Sequence, residues 1–177
     1  FSTIESFTKS NTGNSIPFVG VDIFEGTFIT TRYTVDSSDI DQRFLLTDNR
    51  ADTSTLIVKV QTSSTDSTST TFTEATDITQ VTSGSNVFFL QEVEAGLFEV
   101  YFGDGVIGTA LSDDNIVILT YVVSNKTAAN GATLFTNAST IASVTDISVA
   151  TAATASAGSE PESLSSIKYN APLDFAS

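Results

Sequence analysis

The sequence predicts a mainly β protein, an antiparallel sandwich-like or barrel-like domain with a short C-terminal helix. Phe98, Val100 and Phe102 alternate with Leu97, Glu99 and Tyr101, the period-2 pattern of a strand with one face on a core. Similar short runs recur, each closed by Gly, Asn, Asp or Ser residues that favour turns. A helical period with its own start and stop signals occurs only near the C-terminus.

Taken in order, residues 1–17 are polar and loosely patterned, with Asn11-Thr12-Gly13-Asn14 as a turn and Pro17 as a stop. They read as a linker from an upstream region. From Phe18 the pattern becomes β. Val19, Val21 and Ile23 alternate, and after Glu25-Gly26 so do Ile29, Thr31, Tyr33 and Val35. Arg43 to Thr47 is a short strand between Asp-rich turns. Leu56, Val58 and Val60 then share one face, with Ile57, Lys59 and Gln61 opposite. The Ser/Thr run from Thr62 to Thr71 lies between strand-like pieces and is expected to form a hairpin with a mobile tip. Phe72 to Thr82 is β-compatible, Val87 to Glu92 is a strong strand, and Glu94-Ala95-Gly96 turns the chain into Leu97–Phe102.

That strand breaks at Gly103-Asp104-Gly105, with Gly108 soon after. The two glycines are expected to take conformations closed to other residues, and the aspartate to bond its own backbone. Ser112-Asp113-Asp114-Asn115 then leads into the strand Ile116–Val123. After a loop marked by Asn130-Gly131, Thr140 to Ala155 alternates weakly in small residues suited to packing against another strand or another chain. Ser159-Glu160-Pro161-Glu162 reads as a capping box, with Ser159 as N-cap, Pro161 in the first turn and Glu162 at N3. The helix is expected to run through Leu164 and Ile167 to about Asn170, with Pro172 ending it. Leu164, Ile167 and Ala171 make one apolar stripe. So short a helix is marginal alone and must dock on something. The expected organisation is therefore a linker (1–17), a β domain (18–137), an extended Ala/Ser/Thr-rich segment (138–158), and a short helix (159–177) leading into a further downstream region.

Composition narrows the function. A chain of 177 residues with 13 phenylalanines can bury a proper core. It has no Cys and no His, so it lacks a disulfide framework, thiolate metal sites and the commonest general base. Its net charge of −14 repels phosphate backbones and anionic membranes, so neither nucleic acid nor membrane is an expected partner. No run approaches the length of a membrane-spanning helix.

Each candidate site has a plainer reading. Asp104, Asp113 and Asp114 are oxygen ligands of the kind hard cations take, but their spacing fits no known calcium loop and all three suit turns. Asp22 with Glu25, or Glu92 with Glu94, could be a carboxylate pair for glycosidic chemistry, yet acids beside turns are ordinary. Tyr101 and Tyr121 could form an aromatic sugar platform, but such residues are more often members of cross-strand pairs on a half-buried face. Ser163, Ser165 and Ser166 have no base to activate them. No catalytic residue, metal or cofactor is therefore expected.

The order of these motifs resembles one family. Phe102-Gly103-Asp104-Gly105, then Gly108, a strand ending in Thr120-Tyr121, Asn130-Gly131, Gly158 to Ser163 and Ile167-Lys168-Tyr169-Asn170-Ala171-Pro172 are similar to the J-like baseplate proteins of contractile-tailed phages. They most resemble the baseplate wedge proteins of T4-like phages, firmly from about Val87 to Pro172 and more loosely from Val19 to Thr82. The resemblance implies a structural, non-enzymatic component of the virion tail, assembled in the host cytoplasm. It further implies partners among other wedge subunits, a second copy included, arranged as six wedges around a hub, with contacts that rearrange on sheath contraction. In that family the chain would continue past Ser177. The competing class is a carbohydrate-binding or adhesive β module of a tail or bacterial surface protein, which has no reason to append a capped amphipathic helix.

Overall fold

A computed structural model describes residues 1–177 except 4–7, 9–12, 14, 15, 139, 142, 176 and 177. The chain divides into two compact units, Phe1–Ser124 and Asn125–Ser177. Among the described residues the first holds seven strands: β1 (Thr27–Thr34), β2 (Phe44–Leu46), β3 (Ala51–Gln61), β4 (Ser69–Glu74), β5 (Val87–Glu92), β6 (Phe98–Phe102) and β7 (Ile116–Val123). They form one sheet in the order β1-β7-β3-β4-β5-β6-β2.

The pairings are antiparallel except between β4 and β5, which run parallel over Thr73↔Val87 and Glu74↔Phe88. A parallel pair needs a crossover longer than a hairpin turn. Here residues 75–86 supply it, with a 3₁₀ turn at Ile78–Gln80 capped by the Asp77 side chain.

The sheet curls until its two ends meet. The Tyr33 hydroxyl on β1 donates to the Leu45 carbonyl on β2 at 2.6 Å, and the Tyr33 and Phe44 rings lie 5.7 Å apart. Side chains thus bridge the one seam that no ladder closes, giving a nearly closed barrel. Inside, Phe44 and Phe102 pack at 5.6 Å and Phe72 and Phe102 at 5.3 Å, both edge to face, an arrangement aromatic rings prefer. Leu46, Val58, Val100, Val117, Leu119 and Tyr121 complete the core at 0% exposure. Val58 and Val100 belong to the inward faces that alternation assigned to β3 and β6.

The seam also sets a pH dependence. Burial raises the Tyr33 hydroxyl above its ordinary pKa of 10.0, because a phenolate there would be poorly solvated. The unfolded chain ionises this group first. Its stabilising contribution is therefore whole below about pH 10 and falls away as pH climbs through the raised folded value. Tyr33→Phe should flatten that part of the alkaline unfolding profile, and an unchanged profile would show that the seam does not depend on the neutral hydroxyl.

Strand β3 is interrupted. Its register against β7 shifts between Asp52 and Ile57, a bulge that leaves backbone groups out of the ladder. Thr55, fully buried, repairs it: its hydroxyl accepts from the Val122 N–H at 2.9 Å and donates to the Asp52 carbonyl at 2.7 Å.

Two sequence expectations are corrected. Val19, Val21 and Ile23 form no strand, and Val19 is 91% exposed. Alternation makes a strand only where a neighbouring strand accepts its hydrogen bonds, and the sheet begins at Thr27. The C-terminal helix α1 is Leu164–Phe175, starting beyond the Ser159 capping box. Ser163 caps it instead, accepting from the Ser166 N–H at 3.3 Å through its hydroxyl and from the Ile167 N–H at 3.0 Å through its carbonyl. Pro161 and Glu162 precede the first turn. Pro172 lies inside the helix rather than ending it. It removes a donor only from the last turn, opposite Lys168, an exposed residue.

Candidate functional site

The Gly-Asp-Gly connection carries the chain from β6 to β7, which are not neighbours: β6 lies between β5 and β2, and β7 between β1 and β3. The turn is therefore a crossover between two parts of the barrel, and its geometry holds them in place. The Asp104 carboxylate accepts from the backbone N–H groups of Val106 at 2.9 Å and Ile107 at 3.0 Å. Those bonds favour the anion and lower its pKa. Gly105, at φ +86°, donates its N–H to the Gly108 carbonyl at 3.0 Å.

The loop is pinned to the β4–β5 crossover. Gly108 N–H donates to the Thr82 carbonyl at 3.1 Å, and Thr109 N–H to the Ser85 carbonyl at 2.9 Å. Gly103 serves a different need from the one the sequence suggests. Its φ is not in the left-handed region, but a Cβ there would sit 2.1 Å from the Ile107 carbonyl oxygen. The residue is a close-approach glycine, and Gly105 is the conformational one. At the tip, Val106 and Ile107 are exposed apolar side chains.

The other acids are dispersed. Asp113 accepts from the Ser37 N–H at 3.0 Å, and Asp114, in the left-handed region, donates its N–H to Val35. Among the described residues no group of three His, Cys, Asp or Glu side chains is placed to hold a metal ion. Glu92 ends β5, and Glu94 stands in the 3₁₀ turn that follows. A shallow cleft of about 400 Å³ is lined by Thr47, Asp48, Asn49, Arg50, Ala95 and Leu97. Its carboxylate, Asp48, is taken up by the Arg50 guanidinium at 2.9 Å, which holds its pKa low.

Tyr101 and Tyr121 form no shared platform: Tyr101 is the cross-strand partner of Phe89 on a half-buried face, as expected, and Tyr121 lies in the core. Tyr121 is wholly buried, with the Thr47 N–H donating to its hydroxyl at 3.1 Å. Tyr101 faces outward, stacked on Phe89 at 5.1 Å with the Arg43 guanidinium 4.3 Å over its ring. Arg43 also pairs with Glu99 at 3.6 Å.

In the second unit the structure brings together motifs that the sequence left apart. Asn130 donates through Nδ2 to the Gly158 carbonyl at 2.8 Å and accepts through Oδ1 from the Gly158 N–H at 3.0 Å. Gly131 N–H donates to the Ala155 carbonyl at 2.8 Å, and Ala155 N–H to Ala132 at 2.9 Å. Lys126 and Glu160 pair at 3.1 Å. Together these bonds clasp the base of the Ala/Ser/Thr-rich segment. Glu160 serves that clasp, while Glu162 reaches forward and accepts from Asn170 at 2.9 Å. Leu164 opens α1, and Ile167 on its next turn is 44% exposed. The clasp was beyond sequence reasoning, because nothing in the separation of Asn130 and Gly158 marks them as partners.

A nearly closed barrel with backbone-engaged turns, followed by a segment clasped at its base, defines a structural β module. The chain belongs to the bacteriophage baseplate wedge protein gp6 family: residues 29–137, well over half of it, match that protein's third domain. It is thus a structural component of a phage tail baseplate, acting with other baseplate proteins. No individual curated protein matches the chain.

Proposed function

We propose that this chain joins neighbouring wedge subunits, a second copy of itself among them, through segment 132–157 and the C-terminal helix. Six such wedges close round the central hub, and the joints rearrange as the sheath contracts. Assembly takes place in the host cytoplasm, and the role is structural rather than catalytic.

The surface of the segment carries this reading. Leu134 is 85% and Val144 50% exposed, with Ile141 and Val149 also open to solvent. From Thr127 to Ser159 the sole charged residue is Asp146, in a chain of net charge −14. Exposed apolar residues gathered in one stretch mark an interaction surface. A stretch almost free of charge lets two strongly acidic bodies join without setting like charges against each other. The same acidity works against nucleic acid and anionic membranes as partners. On α1, the exposure of Ile167 and Ala171 leaves that face of the helix to be covered by another subunit.

The test is co-expression of the protein with its wedge partners, comparing wild type with Leu134→Asp combined with Val149→Asp. Burying two carboxylates at an interface should lower incorporation by about tenfold or more, while the melting temperature of the barrel stays unchanged. Normal incorporation of the double variant would overturn the reading.

A further inference from the structure

We propose that Asn130 is a site of spontaneous deamidation gated by its clasp with Gly158, and that the reaction opens the clasp irreversibly. Glycine after asparagine leaves its backbone nitrogen unshielded by a side chain, and Asn130-Gly131 is such a pair. In the reaction the Gly131 nitrogen attacks Asn130 Cγ. A C–N bond forms, closing a succinimide, and the Cγ–Nδ2 bond breaks. Ammonia leaves with the proton lost from Gly131. Water then opens the ring at either carbonyl to give aspartate or isoaspartate, with no oxidant or reductant involved.

The closed clasp blocks the first step twice. The attacking nitrogen is turned away, its N–H donated to Ala155 at 2.8 Å. The carboxamide is held at both ends by Gly158, at 2.8 and 3.0 Å, so Cγ cannot swing over Gly131. Reaction waits for local opening, the low-energy fluctuation that also exposes amides to exchange.

The product cannot restore what it lost. An aspartate in place of Asn130 keeps an acceptor for the Gly158 N–H, but a carboxylate oxygen replaces the Nδ2 donor and faces the Gly158 carbonyl. Two acceptors at that distance repel, and isoaspartate also lengthens the backbone. Gly158 is the residue to probe, since a Cβ there would lie 2.2 Å from the Lys126 carbonyl oxygen.

The experiment ages the full chain in mildly alkaline buffer and follows isoaspartate at position 130 by peptide mass spectrometry. Folded wild type should react at least about tenfold more slowly than the urea-unfolded chain. Gly158→Ala should lose most of that protection. Equal rates in folded and unfolded chain, or full protection retained by Gly158→Ala, would overturn the gating. The second measurement is amide exchange in Asn130→Asp, with barrel amides as the internal standard of folding. Fast exchange at Gly131 and Ala155 with the barrel unaffected is expected; wild-type protection at both would overturn the irreversible opening.

Discussion

Gly103→Ala should destabilise the barrel by roughly 3 kcal/mol, near the upper end for a single added methyl. The methyl would lie 2.1 Å from the Ile107 oxygen and 2.6 Å from the Gly108 carbonyl carbon. Both are backbone atoms, so no side chain can swing aside, and the connection pinned to Thr82 and Ser85 must shift as a whole. Gly105 gives the internal comparison. A Cβ there meets nothing closer than the Ala110 methyl at 3.6 Å, and only φ +86° is strained, so Gly105→Ala should cost about 1 kcal/mol and Gly105→Val about 1–3 kcal/mol. Chemical denaturation of the three variants decides the matter. A loss at Gly103→Ala smaller than at Gly105→Ala would mean that φ, not close approach, governs the turn.

Tyr121→Leu should cost roughly 3–4 kcal/mol, since it removes a wholly buried ring and leaves a cavity that the barrel wall fills only in part. Tyr121→Phe keeps the ring and deletes only the hydroxyl, which accepts from the Thr47 N–H at 3.1 Å and shares a hydrogen bond with the Thr47 hydroxyl at 3.3 Å. Its expected cost is about 1 kcal/mol, because Thr47 is exposed and water can replace the hydroxyl. The difference between the two variants separates packing from hydrogen bonding. Equal losses would show that the tyrosine is held for its hydroxyl alone.

These two positions mark how far the sequence could be read. Phe98, Val100 and Phe102 announce β6 because a strand at a core surface must alternate, and Val100 is buried as the alternation requires. Asp104 between two glycines announces a turn, since its carboxylate reaches its own backbone two and three residues on. Tyr121 illustrates the limit. Its strand is evident, but β7 is apolar on both faces, so periodicity does not say that its ring enters the core. Thr55 gave no signal at all: a threonine in a strand is ordinary until a bulge leaves the Val122 N–H without a ladder partner. The helix start shows two local signals competing, with Ser163 capping where Ser159 had the fuller motif.

By itself the sequence determined the β class, most strand positions and the family, because these follow from local alternation, turn chemistry and the order of short motifs along the chain. Only the tertiary structure decided which strands are neighbours, that β4 and β5 run parallel, and that Tyr33 bridges the seam. It alone showed that Gly103 is required for space and that Asn130 clasps Gly158. Each of these depends on residues far apart in sequence reaching hydrogen-bond or van der Waals distance, and local pattern holds no record of where a chain returns to itself.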